Sequence, residues 1–121
     1  MSTRETVIAY LRAVEAMDLD ATAAMFHPDV LVTEHPNRLN PSGKRYDAAE
    51  LRAAGERGKA IMARQTYAVR ALTVEGERAV AQIAWTGELV NGATMRAQIC
   101  SVIELLDGRI WRQEQYDCFE P

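Results

Sequence analysis

Residues 66–119 read TYAVRALTVEGERAVAQIAWTGELVNGATMRAQICSVIELLDGRIWRQEQYDCF. Apolar and polar side chains alternate through most of this stretch, the period of a strand with one face buried. Three dipeptides break the alternation: Glu75-Gly76, Asn91-Gly92 and Asp107-Gly108. Each supplies a residue that accepts the positive φ of a tight hairpin. The stretch therefore predicts four antiparallel strands, near 66–74, 77–90, 93–106 and 109–119, connected in a meander.

Upstream of Arg64 the period is helical. Ser2 with Glu5 three residues later reads as a capping box. Val7, Tyr10, Leu11, Val14 and Met17 follow on one apolar face. Asp18-Leu19-Asp20 interrupts that helix, and Ala21 to Phe26 predicts a short second one ended by Pro28. Val30 to His35 is β-branched and predicts a first strand. Residues 36–46, PNRLNPSGKRY, have the composition of a loop. Asp47 and Glu50 form a second cap, opening a helix whose stripe of Leu51, Gly55, Gly58 and Met62 suggests close packing against a sheet. Three helices cannot all cover one flat sheet of this size. The expected fold is a cone-shaped, strongly curved antiparallel sheet wrapped around three helices from the N-terminal half, with a pocket at its open end.

The 121 residues fit one domain spanning 1–121, with 48% hydrophobic residues and a formal charge of −3. Nucleic acid or an anionic membrane would require a basic face, so neither is the expected partner. No apolar run approaches the roughly 20 residues of a membrane span, and the charged N-terminus lacks a signal-peptide core. The protein is read as cytoplasmic. Two cysteines, Cys100 and Cys118, make no disulfide scaffold, and His27 and His35 alone make no metal site. No metal and no cofactor are expected.

Several segments carry a family likeness. Ala9-Tyr10-Leu11 through Met17-Asp18-Leu19 to Ala24-Met25-Phe26 resembles the first two helices of a ketosteroid isomerase. Val32-Thr33-Glu34-His35-Pro36 resembles the strand that carries that enzyme's base. Leu105 to Ile110, followed by Tyr116-Asp117, resembles the last hairpin of the wider nuclear transport factor 2-like superfamily, which includes polyketide cyclases, scytalone dehydratase and limonene epoxide hydrolase. EHPNRL and YDCFEP resemble an uncharacterised bacterial branch, and the superfamily likeness, which takes in SnoaL-like proteins, extends over nearly the whole chain. The resemblance implies an α+β barrel with a ligand pocket and a homodimer formed through the outer sheet face, where Val80, Ala84, Val102 and Tyr116 would otherwise be exposed.

It also implies roles. His35 stands where the isomerase holds its base, and an imidazole titrates near neutral pH without tuning. Tyr10 aligns with a donor to a developing enolate oxygen. Ser101 falls near the second donor. It faces inward beside Gln113 if Asp107-Gly108 is a three-residue turn with a bulge, and a two-residue turn would reverse that. On the last strand Trp111, Gln113, Gln115, Asp117 and Phe119 share one face, which the resemblance turns inward. Asp117 could orient His35 or act alone as an acid/base. Ile83, Trp85 and Ile99 would line the cavity, with Asn37 and Arg38 at its mouth.

The residues thus suit a cofactor-free enzyme that moves a proton beside the carbonyl of an apolar, polyketide- or steroid-like substrate, in an isomerase, cyclase or dehydratase reaction. Catalytic roles would fall to His35, Asp117 and Tyr10. Trp85, Ser101, Gln113, Gln115, Asn37, Ile83 and Ile99 would bind substrate. The alternative is a non-catalytic module for a small apolar ligand, and a third reading is a protein-binding domain.

Overall fold

A computed structural model describes residues 1–121. The helix α1 spans Thr3–Glu15 and opens on the expected capping box, in which Ser2 accepts from the Glu5 N–H and Glu5 accepts from the Ser2 N–H. Its Val7, Tyr10 and Leu11 are buried, and full burial of a side chain the size of Val7 or Leu11 is worth about 1.5–3 kcal/mol. Asp18 caps the helix α2, Leu19–Met25, which starts two residues earlier than expected because that carboxylate already accepts the Ala21 N–H. The strand β1, Phe26–Glu34, begins immediately, so Pro28 lies within it rather than ending the helix. The supposed loop contains a short strand β2, Lys44–Tyr46. The helix α3, Ala48–Ile61, carries the second capping box at Asp47 and Glu50. Four strands then follow: β3 at Met62–Glu75, β4 at Arg78–Leu89, β5 at Thr94–Leu106 and β6 at Arg109–Phe119.

The sheet order is β2-β1-β6-β5-β4-β3. This corrects the expected cone-shaped, wholly antiparallel sheet. β1 runs parallel to β6, and β2 and β3 are free edges at opposite ends, so the sheet is open and mixed rather than a barrel. The physical reason is strand number. About eight strands close even a small barrel, whereas this chain has six, one of them three residues long.

The helices lie on one face, α1 over β3 and β4, and α3 over β1, β2 and β3. The core between α1 and the sheet includes Ile83, Ile99, Ile103, Leu105 and Ile110. Helix α3 contributes no buried residue. Its glycines do not press on the sheet either. A Cβ on Gly55 would meet Leu19 of α2 at 2.6 Å, and one on Gly58 would meet nothing within 4 Å. No helix is long and apolar enough to cross a membrane.

Candidate functional site

A cavity of about 320 Å³ occupies the space that α3 leaves unfilled. Its floor is the inner face of β1, β3, β5 and β6, and α1, α2 and α3 form its walls. Leu11, Val14, Leu19, Phe26 and Leu51 make it largely apolar.

The polar groups on the floor are arranged in a row. Asp107 and Gly108, at φ 53° and 73°, form a two-residue turn between β5 and β6. Taken alone, that turn would point Ser101 away from Gln113. The register shifts between Glu104 and Leu105, however, so that Trp111 has no partner across the ladder. This bulge restores the facing, and Ser101 lies opposite Gln115 with both inward. It also makes Ile110, fully buried, the inward residue in place of Trp111, whose ring lies under the Arg112 guanidinium at 4.1 Å.

Tyr10 donates to Gln113 Oε1 at 2.7 Å, and Gln113 Nε2 donates to Gln115 Oε1 at 3.0 Å. Ser101 Oγ donates to the same oxygen at 3.0 Å. Asp117 follows on the same face of β6. Its Oδ1 is buried and has no hydrogen-bond partner. Burial, then the Glu34 charge, push its carboxyl up to about 6, against the opposing pull of the Gln115 amide.

Glu34 is the site residue that sequence reasoning passed over. It lines the cavity and accepts from Tyr46 Oη at 3.0 Å, from Asn37 Nδ2 at 2.8 Å and from Asn40 Nδ2. Burial, then the bond to Glu34, push the Tyr46 phenol up to about 12. The signal was present in the sequence: Val30 and Val32 are buried, and a period of two brings Glu34 to the same face.

His35 therefore faces the other way. Its ring stacks on Tyr116 at 4.3 Å, and its Nε2 lies 2.9 Å from Glu114 Oε1 on the outer face. The expected His35–Asp117 pair does not form, because Asp117 points inward from the residue after Tyr116. A second hollow, about 400 Å³, opens on the outer side, and its lining includes His35 and Asp117 together with Arg70, Ile83, Gln98 and Ile99. Ile83 and Ile99 are core residues that do not line the 320 Å³ cavity. Trp85 also lies outside its lining, with its indole N–H on Gln65 Oε1 at 3.0 Å and its ring edge-on to Phe119. Asn37 turns the loop after β1, accepting from the N–H groups of Leu39 and Asn40. Arg38 donates to the Glu120 carbonyl at 3.0 Å. No three His, Cys, Asp or Glu side chains are grouped to hold a metal ion.

Residues 7–113 match the family model of the SnoaL-like domain. Among solved structures, an NTF2-like protein of unknown function from Burkholderia pseudomallei K96243 is 25% identical with a TM-score of 0.80, over 99% of this chain and 92% of its own. IdmH of Streptomyces antibioticus, a proposed polyketide cyclase, is 16% identical with a TM-score of 0.79, over 97% of this chain and 92% of its own. A protein of ketosteroid isomerase-like fold from Catenulispora acidiphila DSM 44928, solved with trimethylamine, is 13% identical with a TM-score of 0.78, over 93% of this chain and 84% of its own. No curated protein matches the chain.

Proposed function

The chain belongs to the SnoaL-like family, and on that premise we propose that its cavity takes a small, largely apolar carbonyl compound and moves a proton beside the carbonyl without a cofactor. Asp117 is the acid/base. The observation that carries this reading is the buried, unpartnered Oδ1 of a carboxyl whose value near 6 suits proton exchange at neutral pH. Glu34, the second carboxylate on this face, sits among three donors and raises Asp117 by its charge. Two acids in different environments are the arrangement that lets one give and take a proton while the other stays fixed.

The test needs no knowledge of the natural substrate. A panel of bicyclic and tricyclic aromatic ketones is incubated in D2O with the protein, and deuterium entering the carbon beside the carbonyl is read by NMR. Wild type exchanges faster than buffer, and Asp117→Asn does not. Equal exchange in both proteins, or none in either, sinks the catalytic reading.

A non-catalytic binding module is the second reading. It is favoured by the position of Asp117, which follows Gln115 on β6 but is not itself part of the cavity lining. Binding of the same ketones without exchange would select it. For assembly we propose a homodimer that covers the outer sheet face, which no helix shields and where Tyr116 is 45% exposed. Sedimentation of wild type against Val102→Glu tests this, with the variant expected to be monomeric.

A further inference from the structure

Five hydroxyl groups line the cavity: those of Tyr10, Thr22, Tyr46, Tyr67 and Ser101. Four donate within the protein, Tyr10 to Gln113, Thr22 to the Asp18 carbonyl, Tyr46 to Glu34 and Ser101 to Gln115. The fifth has no such bond. Tyr67 sits on β3 directly across from Trp85 on β4, facing inward, and its backbone N–H is held by Glu15 Oε2 at 2.7 Å. The one sealed side-chain oxygen without a partner is Asp117 Oδ1, so the Tyr67 hydroxyl is open to the cavity. We propose that Tyr67, and not Tyr10, donates the hydrogen bond that holds the ligand's carbonyl oxygen. This rests on the reading of the cavity as a site for carbonyl compounds.

The geometry gives the assignment a chemical role. Asp117 is the largest charged influence on Tyr67 after burial, and the two face the same side of the sheet from β6 and β3, with the cavity floor between them. In the proposed pose, a ketone whose oxygen meets Tyr67 reaches across the floor toward β6 and presents the neighbouring carbon to Asp117. The C–H bond breaks, its proton forms an O–H on Asp117, and the electron pair moves through the new C=C to leave an enolate oxygen. Tyr67 keeps its own proton, since burial raises the phenol above its ordinary value, and its bond strengthens as charge grows on the oxygen. Asp117 then returns the proton to the same or another carbon. Tyr10 cannot supply this bond without abandoning Gln113, whose buried carbonyl would be left unpaired.

The probes are 2-acetylnaphthalene and 2-isopropenylnaphthalene, which share a shape and differ in C=O against C=CH2. Affinities are measured at pH 8, above the Asp117 value of about 6, so that the carboxylate has no proton to donate. Wild type is expected to prefer the ketone by about tenfold, the worth of one net hydrogen bond. Tyr67→Phe loses that preference while keeping its affinity for the alkene, and Tyr10→Phe retains it. In wild type labelled at tyrosine Cζ, the Tyr67 resonance moves with the ketone and not with the alkene, a readout that stands even if the variant folds poorly. A preference that survives Tyr67→Phe, or a Tyr67 resonance indifferent to the ketone, overturns the assignment alone. If neither probe binds wild type, the carbonyl-site reading falls and takes the assignment with it.

Discussion

Tyr10 and Gln113, 103 residues apart, share a buried hydrogen bond of 2.7 Å that ties α1 to β6. The bond starts the row that continues through Gln115 toward Asp117, so it orients the floor of the cavity as well as anchoring the helix.

The first prediction follows from that pairing. Tyr10→Phe leaves Gln113 Oε1 without a donor in a site only 5% exposed, at a cost of about 1–3 kcal/mol in urea unfolding. Gln113→Met strands the Tyr10 hydroxyl at a similar cost. The double variant removes both partners and is expected to lose less than the sum of the two. Strict additivity would show that the bond contributes nothing specific.

Asp117 predicts a pH dependence of opposite sign to most carboxylates. Its folded value is raised from 3.8 to about 6, so the folded chain holds this proton more tightly than the unfolded one. The resulting stability is fully present below pH 3.8 and is lost as pH rises through about 6. The group is partly open to solvent, which discounts the effect to about 1 kcal/mol. Asp117→Asn should therefore gain melting temperature relative to wild type at pH 8 and converge with it at pH 4. Parallel curves across that window would refute the assignment of a raised value.

The two halves of the chain were unequally legible in the sequence. Both capping boxes and the three turns are local chemistry, and all appear where Ser2, Asp47 and the Gly-containing dipeptides stand. Sheet closure and the strand β2 depend on pairings between distant segments, which no local period encodes. At the candidate site one alternation matters: Glu34 and His35 are adjacent, and the period of two turns Glu34 to the cavity and His35, the residue before Pro36, to the outer face. The last strand was harder still. The facing of Ser101 needed both the two-residue turn and the bulge at Trp111, and the second cannot be read from the turn residues.

Two glycines should respond in opposite directions. Gly58 is helical, lines the cavity and has open space where a Cβ would sit. Gly58→Ala is expected to stabilise by up to about 1 kcal/mol through helix propensity, while narrowing the cavity and weakening ligand binding. A Cβ on Gly87 would lie 2.6 Å from the Trp85 ring and 2.9 Å from Met62 Sδ. A buried indole cannot yield cheaply, so Gly87→Ala is expected to lose about 1–3 kcal/mol. Thermal unfolding of the two variants side by side checks both signs.

Gln65 joins three elements through one amide. Its Nε2 donates to the Val14 carbonyl at 2.8 Å, near the end of α1, and its Oε1 accepts the Trp85 indole N–H of β4. Helix ends leave carbonyls in need of donors, and β3 supplies one here from the strand that also carries Tyr67. Gln65→Leu orphans the indole and the carbonyl together, so a loss of about 1–3 kcal/mol is expected, with a changed Trp85 environment in fluorescence. Gln65→Glu separates the two roles, since a carboxylate still accepts from the indole but gives Val14 no proton. If Gln65→Glu matches wild type, the bond to α1 is dispensable and the indole contact alone fixes Gln65. If it falls with Gln65→Leu, the amide holds the end of α1 against β3, and with it the wall of the cavity beside Tyr67.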